Sequence, residues 1–585
     1  MAASAVELVA TEYSSDEESG DDESYDGDPE TPAPRGHHKP GPSMGRSKRL
    51  FGTHHHGSAR TWLSSDLSNY EVCLGMSAST VAMVVAWLLF LTVALFKHFD
   101  RAWPLAALTL AVLAGLFLSS EGRMQTLLGK LPVPAPGSRF GVISRWTILA
   151  VLSLIMVIVI GFQVAAPGPQ QIARLQSLSG TVIFIGLCVV CSHSMRTIPW
   201  SVVLSAALLQ FYLGYFVIHT ETGMKFFQSA GDSVSNFLNF SHKGSGFIFG
   251  NLSCFAFNVL PTTVFFSAFI SSMYYLGVLQ VTVRIVALFL KYTIGASLVQ
   301  SVNAAGNLFL GQTEAPLLIK PFLATASPGD IHCVMVGGFA SIAGGVLAAY
   351  VGMGVKADQL IGASVMSVPG TLLVANLVCP PGSDSDLKDD DAKDEAEDED
   401  GEQFHFPPPS ENNIIEAAGN GAHIAIDLVL NIGAMLIAFI SIIAVLNSAL
   451  GYLGGLVDLP ELSFSFICGY AFWPIAWLLG TPYGDCFEVA KLLGTKIFVN
   501  EFVAYNDLTA MLKHEGGPLI SRRAELMATY ALCGFSNFGS IGITLGGLTS
   551  LCPQRSRAFA KLVLSSMICG NAVCFLTATF AGILN

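Results

Sequence analysis

Charge is scarce in this sequence: 12% of its 585 residues are Asp, Glu, Lys or Arg, against 52% hydrophobic residues. A soluble domain cannot hide that much apolar surface, so the composition requires a chain that crosses a membrane many times. Motifs for phosphate or catalytic metal are also missing. There is no GxxxxGK(S/T) run, which argues against transport driven by ATP hydrolysis on this chain, and no HExxH or strand-linked GxGxxG. No Ser/His or paired-Asp constellation supports an intramembrane enzyme, so the chain reads as a non-enzyme with no cofactor, and nothing points to nucleic acid. A signal peptide is absent, because the first apolar run begins near Ser77. The twelve cysteines are scattered. The CxxC of Cys188 and Cys191 has no second pair and, like Cys333, reads as packing inside an apolar helix. Positive charge is missing from residues 1–30, which hold 11 acidic residues. A second acidic segment, 384–402, holds 12 acids against Lys388 and Lys393. These segments contribute −11 and −10 to the net −13, so the rest of the chain is +8. The acidity therefore belongs to two flexible segments and not to the membrane body.

Residues 1–70 read as a disordered tail. Arg46, Lys48, Arg49 and Arg60 stand just before the first span and place the N-terminus in the cytoplasm. Spans are expected at about 79–97, 102–120, 146–166, 178–194 and 198–219, each near the ~20 apolar residues a bilayer requires. Residues 221–243 put Phe226, Phe227, Val234, Phe237 and Leu238 on one helical face, the pattern of a helix lying in the membrane surface. Further spans are expected at about 252–278, 357–379, 424–448 and 558–582, with a cytoplasmic acidic loop at 382–412 and an extracellular C-terminus.

Two polar runs interrupt this apolar body. Gly311-Gln312-Thr313-Glu314 lies in "NLFLGQTEAPLLIKPF" and Asn500-Glu501 in "KIFVNEFVAY". A carboxylate inside a membrane segment is costly and marks a candidate functional site. The apolar pieces flanking Gln312 and Glu314, about 14 and 11 residues, reach only ~21 and ~17 Å, short of the ~30 Å core. Two such pieces make a re-entrant hairpin over 293–325, with Thr313 expected to cap the second leg and Pro316 in its first turn. Residues 485–513 repeat the pattern. Each hairpin is followed by a Gly-interrupted helix, "GGFASIAGGVLAAYVG" (337–352) and "CGFSNFGSIGITLGGL" (533–548), and then by one more span. Paired broken segments in two halves are the sequence mark of a secondary-transporter site. On an unbroken helix Phe535 and Asn537 would lie about 200° apart, so the chain is expected to unwind there, between Gly534 and Gly539. Glu314 and Glu501 have a competing reading as structural acids paired with Lys320, Lys491 or Lys496, and Asn307 as a satisfied polar group at a helix contact.

At these motifs, and at "NNIIEAAGNGA" and "YALCGFSNFGSIGITLGGLTS", the sequence resembles the concentrative nucleoside transporter family over roughly residues 200–585. The three extra N-terminal spans resemble the eukaryotic type. The resemblance implies an all-α polytopic membrane protein with about 11 transmembrane helices, two re-entrant hairpins, an inverted-repeat transport core and a homotrimeric assembly in the plasma membrane. It implies import of nucleosides coupled to Na+, or to H+ in some members. The chain then divides into the tail 1–70, extra spans 71–170, scaffold helices 171–292, a first core repeat 293–380, the acidic loop 381–412, a linking helix and scaffold span 413–484, and a second core repeat 485–585. Glu501, Asn537 and Ser540 match ribose contacts, Gln312, Thr313 and Glu314 match partners of the base, and Phe535 and Val346 match residues that pack on it. Asn307, Ser341 and the carbonyls of Leu310 and Ile342 match the sodium ligands. Gly345 stands where Ser or Thr is common, Ser367-Val368-Pro369 replaces Ser-Ala-Pro, and Gly311 matches purine-accepting and broad members. Cys533, two residues before Phe535, is expected to be reachable by thiol reagents. Transport of another small polar solute is the alternative reading.

Overall fold

The computed structural model describes residues 139–168, 170–250, 260–381, 411–459 and 461–585. The expected tail, the spans at 79–97 and 102–120, and almost all of the acidic loop lie outside the described residues. The chain divides into two compact units, Met1–Val93 and Ala94–Asn585, and every described residue belongs to the second.

The described residues are helical throughout, without a strand. Helices α1 (Arg139–Ala165), α2 (Gln171–Val190) and α3 (Trp200–Gly214) confirm three expected spans, the last extended by a π-turn over Tyr215–His219. The surface helix is two helices, α4 (Glu221–Leu238) and α5 (Ser241–Phe249), divided at Asn239 and Phe240. Its buried stripe is Gly223, Phe227, Gly231 and Leu238, and Phe226 stands outside it, exposed. Next come α6 (Leu260–Tyr275) and α7 (Val278–Ile294), bent by 79° at Gly277, which takes a left-handed φ of +78°. The sequence reading had only the first of these two legs.

The first hairpin has a short leg α8 (Leu298–Gly306), a turn over 307–314, and a return leg over Ala315–Phe322 that is 3-10 and not α-helical. Nine residues of α-helix and eight of 3-10 helix make legs of only ~14 and ~16 Å. Pro316 and Pro321 both sit in the return leg and each withholds a backbone donor, which favours the short, tight form. Thr313 is not its cap: Glu314 holds the capping position, and its Oε2 accepts from the Gly311 amide at 3.1 Å. The broken helix follows as α9 (Pro328–Ala340) and α10 (Gly344–Met353), with Ser341 extended at the break, and then α11 (Ala357–Val378). A 42-residue helix, α12 (Ile414–Gly455), joins the halves and exceeds the expected span. After the short helices α13 (Phe464–Ala471) and α14 (Trp473–Leu478), the second hairpin is α15 (Cys486–Phe498) and α16 (Glu501–Leu512). The second broken helix is α17 (Arg522–Leu532) and α18 (Phe538–Leu551), and α19 (Ser556–Leu584) closes the chain.

Among the described residues seven helices are long and apolar enough to cross a membrane, or eight if the bent pair is one span. Their burial differs sharply: 89% of the apolar window is buried in α11 and α19, but 6% in α1 and in Ile437–Gly455. The core therefore lies around the two repeats, with α9, α11 and α19 packed together, while α1 and the end of α12 turn apolar faces outward.

One buried arginine clamps this core at an end. Arg523 opens α17 and donates to the carbonyls of Gly480 (2.9 Å) and Gly582 (2.7 Å), with Gln170 Oε1 at 3.3 Å. Removing it leaves buried carbonyls without donors, at about 1–3 kcal/mol each. Arg523→Ala is expected to destabilise the detergent-solubilised protein by on the order of 3 kcal/mol, and Arg523→Lys by less. Equal thermal midpoints for both variants and the unsubstituted protein would contradict the clamp.

Candidate functional site

The break in each broken helix is built by local sequence. In the first, Ser341 leaves the helix at φ −117° and ψ 170°, its Oγ donating back to the Gly337 carbonyl at 2.8 Å. In the second, Cys533 to Asn537 are non-helical, and Gly534 takes φ +153°, a conformation that other L-residues rarely adopt. Gly539 already lies within α18, so only Gly534 serves the break. Asn537 caps α18, its Oδ1 accepting from the Ser540 amide at 2.8 Å. The two breaks touch, because the Phe535 amide donates to the Ser341 carbonyl at 3.3 Å.

Glu501 occupies the first turn of α16, behind Asn500, whose side chain caps that helix through the Val503 amide. The Glu501 carboxylate is 3% exposed. Its Oε2 accepts from Asn537 Nδ2 at 2.7 Å and its Oε1 from the Tyr350 hydroxyl at 3.1 Å. Neither lysine forms a salt bridge with it: Lys496 donates to the Ala531 carbonyl at 2.8 Å and Lys491 to Glu488 at 2.8 Å. Tyr350 was missed by the sequence reading. It is fully buried in α10, its ring 4.5 Å from that of Tyr505 and 5.0 Å from that of Phe502, both on hairpin 2. A buried tyrosine in a helix that is otherwise apolar needs a partner for its hydroxyl, and this was the available signal.

One face of α18 connects the two hairpin tips. Asn537, Ser540, Thr544 and Gly547 recur at helical spacing. Asn537 reaches Glu501 of hairpin 2, and the Thr544 hydroxyl donates to Gln312 Oε1 of hairpin 1 at 3.1 Å. Thr313 packs so closely on Gly547 that a Cβ there would lie 2.8 Å from its methyl. The seven residue steps from Asn537 to Thr544 span ~10 Å of helix. The Glu314 carboxylate accepts from the Gly311 amide at 3.1 Å and is not hydrogen-bonded to this face. Phe535, Val346 and Ser540 are all buried, at 8%, 2% and 4% exposure. A cavity of about 380 Å³ lies elsewhere, among Gln170, Asp358, Arg522 and Tyr530.

The residues expected to hold a cation sit on two adjoining segments. The Gly344 amide donates to the Phe309 carbonyl at 3.3 Å, and a Cβ on Gly337 would meet Asn307 Nδ2 at 2.6 Å. Asn307 is 2% exposed, and neither Oδ1 nor Nδ2 has a hydrogen-bond partner among the described residues. A merely structural asparagine would be satisfied, so the orphaned amide argues for a ligand. Asn307, Ser341 and the neighbouring Leu310 and Ile342 offer the oxygen donors that a small hard cation takes.

Comparisons with known proteins give the family. Family models described as Na+ dependent nucleoside transporter N-terminus, nucleoside recognition, and Na+ dependent nucleoside transporter C-terminus match residues 179–252, 256–357 and 359–582. Sodium/nucleoside cotransporter 1 of Mus musculus is 40% identical over 512 residues, covering 85% of this chain and 77% of the relative. Solute carrier family 28 member 3 of Homo sapiens is 38% identical over 525 residues, covering 86% and 73%. A solved structure described as CNTnw in an inward-facing substrate-bound state superposes with a TM-score of 0.64 at 34% identity, covering 70% of this chain and 98% of that one.

The chain belongs to the concentrative nucleoside transporter family. As a family member it carries two local surprises. A Cβ at Gly345 would meet the Thr263 methyl at 3.3 Å, so the missing hydroxyl there would face α6. Cys533, expected to be reachable, is 2% exposed and lies 3.8 Å from the Ser364 hydroxyl. Cys188 and Cys333 are buried and free, as expected, while Cys191 is exposed.

A Cβ on Gly534 would stand 2.8 Å from both Cys574 Sγ and the Phe339 carbonyl oxygen. Gly534→Ala is expected to destabilise the protein by about 1–3 kcal/mol, read as a lower thermal midpoint. An unchanged midpoint would show that the break does not depend on this backbone conformation.

Proposed function

We propose that this protein is a sodium-coupled symporter that imports nucleosides by alternating access. The observation that carries the reading is the α18 face that meets Glu501 of one hairpin and Gln312 of the other. A nucleoside has the two-ended chemistry that such a face serves. Its ribose offers vicinal hydroxyls, for which an ionised carboxylate is the strongest acceptor. Glu501, with Asn537 and Ser540 beside it, takes the ribose. Gln312, Thr313 and Glu314 take the polar edge of the base, directly or through water, and Phe535 and Val346 pack on its flat face. Substrate hydroxyls take over part of the hydrogen bonding that Tyr350 and Asn537 now give to Glu501.

Sodium binds at Asn307, Ser341 and the carbonyls of Leu310 and Ile342. The relatives are named for sodium, and the proton-coupled alternative finds no support beside them. Coupling a neutral solute to one cation adds about 2.3 kcal/mol per 100 mV, enough for about 50-fold accumulation. The two hairpins and broken helices, 293–380 and 485–585, form the moving unit, and the remaining helices form the scaffold. About 11 spans, a cytoplasmic N-terminus, an extracellular C-terminus and a plasma-membrane homotrimer complete the reading. The outward apolar faces of α1 and Ile437–Gly455 suit lipid and neighbouring copies. Gly311 favours a purine-accepting or broad pocket.

Uptake of labelled uridine and adenosine by the full chain, in sodium and in choline, tests this directly. Saturable uptake is expected in sodium alone. Glu501→Gln is expected to lower uptake of both nucleosides by about 10–100-fold, and Thr313→Ala to change their ratio. Equal losses at both positions would contradict the assignment of ribose and base ends, and sodium-independent uptake would remove the coupling.

A further inference from the structure

Hairpin 1 carries a line of polar side chains beyond the groups assigned above. Ser297, Gln300, Asn303 and Asn307 follow one side of the first leg at helical spacing. They face Asp330, Val334 and Gly337 on α9, with Thr371 and Asn376 of α11 alongside. Most of the seam is buried: Gln300, Asn303, Asn307 and Asn376 are 1–2% exposed and Asp330 is 6% exposed, while Ser297 at its end is half-buried.

The two ends of the seam differ. At the open end of the hairpin, Asp330 accepts from Ser297 Oγ (2.7 Å), Gln300 Nε2 (2.9 Å) and Ser327 Oγ (2.7 Å), and Asn376 Nδ2 donates to Gln300 Oε1 at 3.0 Å. No Lys or Arg among the described residues forms a salt bridge with this buried carboxylate. Towards the tip, hydrogen bonding fails. Asn303 Nδ2 donates to the Val334 carbonyl at 3.3 Å, but Asn303 Oδ1 has no partner, and one turn on neither polar atom of Asn307 has one. Each orphaned buried group costs about 1–3 kcal/mol, so a purely structural seam would have been closed or replaced by apolar packing. Two successive unfilled carboxamide oxygens leading to a carboxylate that has no salt bridge form a track for a small cation with oxygen ligands. The open end lies where α9 begins and α11 ends, since Gly329 packs against the Cys379 carbonyl and Pro381.

We propose that this seam is the release route of the coupling cation, with Asn303 as the transfer ligand and Asp330 as the acidic outlet. The proposal rests on the symport reading and adds a path to it. The cation leaves the break beside Ser341, passes from Asn307 to Asn303 across one helical turn, and exits past Gln300 and Asp330. The nucleoside takes no part in this route.

The test uses the full chain in proteoliposomes, with unsubstituted protein, Asn303→Leu and Asp330→Asn. Asp330→Asn keeps an acceptor for the serine hydroxyls, so it remains informative if Asn303→Leu does not fold. Two rates are compared: net nucleoside and labelled-sodium influx into sodium-free vesicles, and nucleoside exchange with saturating sodium on both sides. Net influx requires cation release in every cycle, whereas exchange can proceed with the cation bound. Net influx is expected to fall about tenfold, the effect of a barrier raised by one lost ligand. Exchange and the external sodium concentration for half-maximal influx are expected to stay unchanged. A parallel fall of influx and exchange, a weakened external sodium response, or unchanged influx in the folded variants would overturn the route. Absence of sodium-driven influx in the unsubstituted protein would instead overturn the symport reading, and the route with it.

Discussion

A carboxylate buried in apolar surroundings must be met by donors, and the arrangement of this protein's core follows from how Glu501 is met. Its two oxygens are claimed by different halves of the chain: Tyr350 comes from the first repeat and Asn537 from the second. Neither donor could reach it from an uninterrupted, independently packed helix bundle. The Tyr350 ring must lie among Phe502 and Tyr505, which fixes α10 against hairpin 2. Asn537 must leave helical geometry to cap α18 and face the acid at once, which requires the break at Gly534. That break in turn lies against the other, through Phe535 and Ser341.

Interrupting helices inside a membrane exposes backbone groups that need partners. The two breaks satisfy each other in part, and the side chains of Asn500, Asn537 and Ser341 satisfy more. What remains unsatisfied is informative. Within the two hairpins the orphaned side-chain amide atoms are those of Asn303 and Asn307, while Glu501 in hairpin 2 is bonded at both oxygens. On the proposed reading, the first hairpin supplies the ion path and the second the substrate acid, with one face of α18 hydrogen-bonded to both tips.

Much of this arrangement could be read from the amino acids. The two polar tips, the paired broken helices and the spans after them follow from the mismatch between short apolar pieces and membrane thickness, and hairpin 2 ends at Asn500 and Glu501 as expected. The misses have local causes. The leg Val278–Ile294 carries Arg284 and Lys291, and only Leu276 and Gly277 separate it from α6, so it does not stand out as an apolar run. Thr313 looked like a cap, but Glu314 holds the capping position, and its side chain turns back to the Gly311 amide without a cap bond to the leg. Tyr350 was hidden because its partner lies 151 residues away, a separation that no periodicity within one helix reveals. Asn303 was passed over for the same reason: its meaning depends on Val334 and Asp330 across the helix contact.

Glu501, Asn537 and Ser540 are proposed as the sugar end of a site whose base end is Gln312 and Thr313. A density map of the full chain with bound uridine and sodium decides this. The ribose hydroxyls are expected within hydrogen-bond distance of Glu501, with the uracil ring directed towards hairpin 1 and lying against Phe535. Uridine density away from the α18 face, with Glu501 still held only by Tyr350 and Asn537, would contradict it.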